Sequence, residues 1–205
     1  MNDEERLERN QFEELIQGLI DQQYGCCNDF IIPNIAAGLR NNITALNAAG
    51  NLKSAGIGTK KDFQNNPLIR NDKVHWIEES STNPFEKVYL AKVWRFIHHL
   101  NTTCFTSIKS FESHYASFGI GSFYKKHLDQ FKTEKGRKFS IVLYLNENWE
   151  EKDAGFLALY PQNTEPQNIA PTEGRLVFFR SDEMEHEVLP STTRDRKSIA
   201  GWLKN

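Results

Sequence analysis

The chain of 205 residues has no apolar run approaching the roughly 20 residues that cross a bilayer, so no membrane partner is expected. Nor does it have an excess of one charge. Its 25 Lys and Arg stand against 27 Asp and Glu, leaving a net charge of −2 and no basic field to hold a nucleic-acid backbone. Cysteine is scarce: Cys26, Cys27 and Cys104 are an odd number without zinc-type spacing, which reads as reduced thiols in a cytoplasm. The opening "MNDEERLERN" is acidic and polar, the opposite of a secretory leader. Internal repeats and low-complexity tracts are lacking too, and the length fits a single domain over 1–205 with a sizeable core.

What is present changes character near the middle. Residues 1–107 read as mostly helical support. Phe12, Leu15, Ile16 and Leu19 recur at helical spacing, and so do Ile35, Leu39, Ile43 and Leu46, with Asn34 as cap and Gly50 as stop. A third stripe runs through Phe85, Val88, Tyr89, Val93, Trp94, Ile97 and Leu100. "DFIIP" (29–33) reads as a short strand stopped by Pro33, and the polar segment 51–73 as a mobile loop of lid type. From residue 108 the texture is that of strands: "SFESHYASF", "FYKKHLD", "KFSIVLYL", "FLALYP", "RLVFF", "HEVLP" and "KSIAGWL". Seven short strands behind helices predict a mainly β fold with supporting α-helices, a jelly roll (double-stranded β-helix, cupin-like) whose core spans 108–205.

Within that fold "GSFYKKHLDQF" raises a chemical question. In a strand, residues i and i+2 share a face, so His127 and Asp129 would lie side by side. Such a pair alone is a weak signal, equally an exposed ion pair. His186 follows at the start of a late strand, and Arg194 and Arg196 share a parity on the next. Two histidines and one carboxylate on one face of an iron leave three positions open. A 2-oxo acid takes two of them and dioxygen the last. Its far carboxylate then calls for an arginine fork, with Tyr144 placed to complete the clamp. Singly, each of these residues could be a surface or packing group; jointly, in this order on consecutive strands, they favour a metal site. His75, His98, His99 and His114 read as structural or solvated.

Four passages carry a family likeness: "LIRNDKVHWIE", "GSFYKKHLD", "IVLYLNENW" with "AGFLALYP", and "GRLVFFRSDEMEHEVLPSTTRDRKSIAGW". Over residues 65–205 the chain resembles the 2-oxoglutarate- and iron-dependent prolyl hydroxylase-domain oxygenases, the branch that includes animal oxygen-sensing enzymes and bacterial relatives. The resemblance implies an Fe(II) site at His127, Asp129 and His186, and a 2-oxoglutarate clamp from Arg196 and Tyr144. It implies a pocket-wall role for Trp202, and a place at the site entrance for Arg70 and Asp72, whose plainer reading is a surface pair. It further implies prolyl 4-hydroxylation of a protein or peptide using Fe(II), 2-oxoglutarate and O2, with ascorbate as a candidate reductant. The same chemistry on a free amino acid or small metabolite, and a non-catalytic metal-binding jelly roll, are the alternatives. Three departures stand out. Asn71 replaces a common glycine, Phe118 replaces a common tyrosine, and the span from His186 to Arg196 is one residue longer, which makes Arg194 a rival for the clamp.

Overall fold

The computed structural model describes residues 2–56, 66–130 and 136–205. Helix α1 (Asp3–Gln22) begins with a reciprocal capping box between Asn2 and Glu5, and its acidic first turn suits the positive end of the helix dipole. Its stripe of Phe12, Leu15 and Ile16 is buried, and left-handed Gln23 ends it. The chain turns at once into β1 (Tyr24–Cys27). The expected strand at 29–33 is not formed. Phe30 and Ile31 are instead plugs buried from a turn, and Pro33 is the first residue of α2 (Pro33–Ala48), where its missing N–H leaves nothing unpaired. For the same reason Asn34 is not the cap: that place falls to Ile32, without a side-chain bond. Helix α3 (Pro84–Thr103) is capped by the Asn83 side chain, which accepts from Phe85 N at 2.9 Å and Glu86 N at 3.2 Å. Its buried face is turned slightly from the expected stripe: Leu90 and Phe96 are in, and Val88 is exposed.

The remaining strands are β2 (Lys53–Ser54), β3 (Lys73–Ile77), β4 (Ser110–Phe118), β5 (Tyr124–His127), β6 (Arg137–Tyr144), β7 (Leu157–Tyr160), β8 (Gln167–Ile169), β9 (Leu176–Arg180), β10 (Glu185–Val188) and β11 (Arg196–Lys204). They form two antiparallel sheets, a seven-stranded one ordered β1-β9-β6-β11-β4-β3-β2 and a four-stranded one ordered β5-β10-β7-β8. The seven expected strands are all present. Of the four additional ones β1, β2 and β8 are short, polar or glycine-bearing, whereas β3 (KVHWI) lies at the end of the segment read as a loop.

Alternation on the large sheet separates two apolar layers. Tyr115, Ile141, Leu143, Phe178 and Ile199 pack with Leu15, Leu39 and Phe96 of the helices. The intervening residues Ala116, Phe118, Val142, Tyr144, Val177 and Phe179 face the other way, onto Leu157, Leu159 and Val188 of the small sheet. The helices therefore seal one face of the large sheet and leave the pocket between the sheets to functional side chains.

Close approach of β1 to α1 depends on Gly25, where a Cβ would lie 2.1 Å from the Leu15 carbonyl oxygen. Gly25→Ala should lower stability by about 2–3 kcal/mol in chemical denaturation; an unchanged midpoint would show that the strand and helix can part freely.

Candidate metal centre and co-substrate pocket

The small sheet brings the first three candidates together. Antiparallel pairing of β5 and β10 sets His186 directly opposite His127, and Asp129 follows two residues beyond the end of β5. Ligand-capable atoms of the three side chains all lie within 4.8 Å of one another. Both imidazoles turn Nε2 to the carboxylate, His127 at 3.5 Å from Oδ1 and His186 at 3.6 Å from Oδ2. Their other nitrogens are committed to the backbone. His127 Nδ1 lies 2.7 Å from the Lys125 carbonyl oxygen, and His186 Nδ1 lies 3.1 Å from that of Met184. A carbonyl only accepts, so each Nδ1 must carry the proton, which leaves each Nε2 lone pair free for a metal.

The carboxylate is oriented as well. The Ser140 hydroxyl donates to Asp129 Oδ2 at 2.7 Å, and Ser140 is itself paired with Ser181 at 2.8 Å. Burial opposes ionisation of Asp129, but the His186 and His127 imidazoles and the Ser140 hydroxyl outweigh it and hold its carboxyl below the usual carboxylate range. Burial pushes His186 down to about 4, so it is neutral at physiological pH. Two imidazoles and one carboxylate, each held by a further hydrogen bond, suit a divalent iron. Tyr124 stacks on His127 with ring centres 3.6 Å apart, and Phe179 lies 4.8 Å from the His186 ring.

The large sheet supplies the cation. Arg196 is 1% exposed, donating from Nε to the Gly155 carbonyl at 3.0 Å and from Nη1 to Ser198 Oγ at 3.4 Å. Among the described residues its Nη2 and the buried Tyr144 hydroxyl beside it make no hydrogen bond of normal geometry. The guanidinium carbon is 5.0 Å from the Tyr144 ring centre and 5.1 Å from that of Phe118. Burial disfavours the charge on Arg196 and pushes the Tyr144 phenol up to about 12, so the hydroxyl stays protonated and able to donate. Among the described residues no carboxylate pairs with Arg196. A buried cation with an open donor beside a second open donor fits the distal carboxylate of a dicarboxylic co-substrate. Arg194 lies before β11 rather than on it. There it bonds the Glu147 carbonyl, approaches Asp153 at 3.5 Å and covers the Trp149 ring, away from the pocket.

Arg70 and Asp72 are not a surface pair. They form a two-bond fork of 2.8 and 2.6 Å, with Asp72 buried and the guanidinium 4.1 Å over the Tyr124 ring, and both line the same pocket. Asn71 between them has work that a glycine could not do: its Oδ1 accepts from Phe123 N at 2.8 Å, tying this segment to the entry of β5. Of the expected lid, residues 57–65 lie outside the described residues, and the rest includes the β2–β3 pairing. Trp202 lines the pocket under the Arg137 guanidinium, 3.5 Å from its ring. Of the two readings offered for His114, structural or solvated, its burial excludes the solvated one. His114 is buried and faces the pocket, because it shares β4 parity with Ala116 and Phe118. That parity was the signal available for it. Tyr124, Ser140 and Ser198 were also missed; a lone serine or tyrosine in an alternating strand carries no signal of its own.

Residues 113–204 match the model of the 2OG-Fe(II) oxygenase superfamily. That stretch, a little under half of the chain, is similar to the superfamily. Over 87 residues, 41% of its length, the chain is 42% identical to the hypoxia-inducible factor prolyl hydroxylase of Caenorhabditis elegans, of which the match covers 12%. It is similar to a prolyl 4-hydroxylase of Pseudomonas putida solved by crystallography, at 29% identity and a TM-score of 0.85, covering 95% of this chain and 98% of that one. A prolyl hydroxylase of Trichoplax adhaerens, solved with a peptide fragment of hypoxia-inducible factor, shares the fold at a TM-score of 0.88 and 23% identity, covering 100% of this chain and 93% of that one. The matches span less than two thirds of the length of the curated relatives.

His186→Ala should abolish binding of Fe(II), or of Co(II) followed by its visible absorption bands. Ser140→Ala should weaken it roughly tenfold, since it frees the carboxylate without removing a ligand; wild-type affinity in Ser140→Ala would deny the hydroxyl that role.

Proposed function

We propose that this protein is an Fe(II)- and 2-oxoglutarate-dependent dioxygenase that hydroxylates prolyl residues in a protein or peptide. The observation that carries the reading is an oriented two-histidine, one-carboxylate cluster lining one pocket with the buried Arg196, whose Nη2 has no hydrogen-bond partner among the described residues and whose guanidinium lies beside Tyr144. A metal-binding protein without catalysis would account for the cluster but not for that buried cation.

His127, Asp129 and His186 would hold the metal by Nε2, carboxylate and Nε2. Together, iron and 2-oxoglutarate supply dioxygen activation, with decarboxylation of the co-substrate to succinate balancing insertion of one oxygen atom into a substrate C–H bond. The protein's own part is position and dryness. Arg196 and Tyr144 fix the depth of the co-substrate by its far carboxylate. Phe118, Leu157 and Val188 keep water from the space around it. Arg70, Asp72 and Trp202 shape the entrance, and the half-exposed Trp76 continues its aromatic wall outward, which suits an extended chain more than a closed cup suits a metabolite. Likeness to named prolyl hydroxylases supports proline as the target. Ascorbate as reductant and a cytoplasmic location belong to the same proposal.

The test is direct. Protein, Fe(II), ascorbate and 2-oxoglutarate should release succinate, and host peptides added to the mixture should gain 16 Da on proline. Arg196→Ala should raise the KM for 2-oxoglutarate by roughly 30-fold or more, the effect of truncating one side of a buried charge pair. Arg194→Ala should not. The reverse order would reassign the clamp, and hydroxylation of free proline in place of peptides would transfer the activity to small metabolites.

A further inference from the structure

The ring that backs His127 is brought there by an irregularity in β5. Residues three apart on a regular strand point to opposite faces. Tyr124 and His127 are three apart on β5, yet both line the pocket. The pairing with β10 shows how: His127 lies opposite His186 and Tyr124 opposite Val188, so a three-residue step on β5 faces a two-residue step on β10. That one extra residue, a β-bulge, turns Tyr124 to the side of His127, and the two rings lie 3.6 Å apart at 17°. Among the described residues the His186 ring has no such flat neighbour; Phe179 meets it at 57° and His127 at 52°. His186 needs one less. It is the more buried of the two and sits on β10, which is paired on both sides, whereas β5 is the edge of its sheet.

The Tyr124 ring is held in turn. Arg70 pairs with Tyr124 across an isolated bridge and sets its guanidinium 4.1 Å from the ring centre. The two bonds to Asp72 orient that guanidinium, and next to the bridge Lys125 N donates to the Ile69 carbonyl at 2.9 Å. For the imidazole, the bond from Nδ1 to the Lys125 carbonyl fixes one edge of the ring and leaves its plane free to tilt. The Nε2 lone pair lies in that plane, so a flat neighbour decides where it points. We propose that Tyr124 is a positioning residue for the metal centre: it holds the plane of His127, and Arg70 holds Tyr124. A ligand aimed before the ion arrives removes part of the ordering cost of binding. The role rests on the metal-centre reading above and is independent of which substrate is hydroxylated.

In the experiment the whole chain, freed of metal, is titrated with Co(II) and followed by the visible absorption bands. Tyr124→Phe keeps the ring and should bind within about twofold of the wild type. Tyr124→Leu should bind roughly tenfold more weakly, with its bands shifted, because His127 loses its fixed plane. Tyr124→Met fills the space with a flexible chain; it should behave alike and answers the same question should Tyr124→Leu not fold. Arg70→Lys keeps the charge without the flat fork. It should weaken binding about threefold in the wild type and leave the affinity of Tyr124→Leu unchanged. Wild-type affinity and bands in folded Tyr124→Leu or Tyr124→Met, or a roughly tenfold loss in Tyr124→Phe, would overturn the role of the ring. An Arg70→Lys effect of equal size in both backgrounds would overturn the part given to Arg70. If the wild type takes up no Co(II), the metal centre itself falls and this role with it; an overturned role, by contrast, leaves wild-type binding intact.

Discussion

Register between β5 and β10 sets His127 opposite His186, and from that pairing the rest of the site is hung. A slip of one residue would point one imidazole away from the other, because side chains alternate across a strand. The backbone carbonyls of Lys125 and Met184 then fix each ring by its Nδ1, so the metal-facing nitrogens are selected by hydrogen bonding before any metal arrives. Asp129 completes the group from just past the end of β5, and Ser140 reaches across from the large sheet to hold its carboxylate. The centre thus joins the two sheets.

The surrounding electrostatics follow from burial. Arg196 is a cation deep in an apolar layer, satisfied at Nε and Nη1 by neutral oxygens and open at Nη2. Neutral partners leave its charge uncompensated, and a buried uncompensated charge is destabilising until an anion arrives. The Arg70–Asp72 fork is the contrasting case, a buried pair that neutralises itself and so acts through shape. Arg137 stacks on Trp202 and pairs with Glu112, carrying positive charge to the rim without an open donor in the pocket floor.

The helices take no part in the chemistry. Phe12, Leu15, Leu39 and Phe96 occupy one face of the large sheet and force every functional side chain to the other. Helix and strand types were legible because periodicity of 3.6 or 2 reflects one buried face. The start of α2 was misread because Phe30 and Ile31 are buried from a turn, where no period applies, and Pro33 can open a helix as readily as it stops a strand. His114 stayed open between structural and solvated; its parity with Ala116 and Phe118 was the one cue to its burial.

From the order of residues alone came the fold class, the three convergent candidates His127, Asp129 and His186, and the need for an arginine on the strand that follows; spacing and alternation encode which face a side chain takes. The choice of Arg196 over Arg194 needed the tertiary structure. Their shared parity holds only within a strand, and β11 begins at Arg196, leaving Arg194 in the turn before it. Tertiary structure also decided that Asp72 is buried with Arg70 largely covered beside it, that Asn71 fastens them to β5, and that Ser140 orients the carboxylate. Even the fork between Arg70 and Asp72, two positions apart, takes its burial from distant strands, and the Asn71–Phe123 and Ser140–Asp129 bonds depend on how the sheets pack, which no local pattern records.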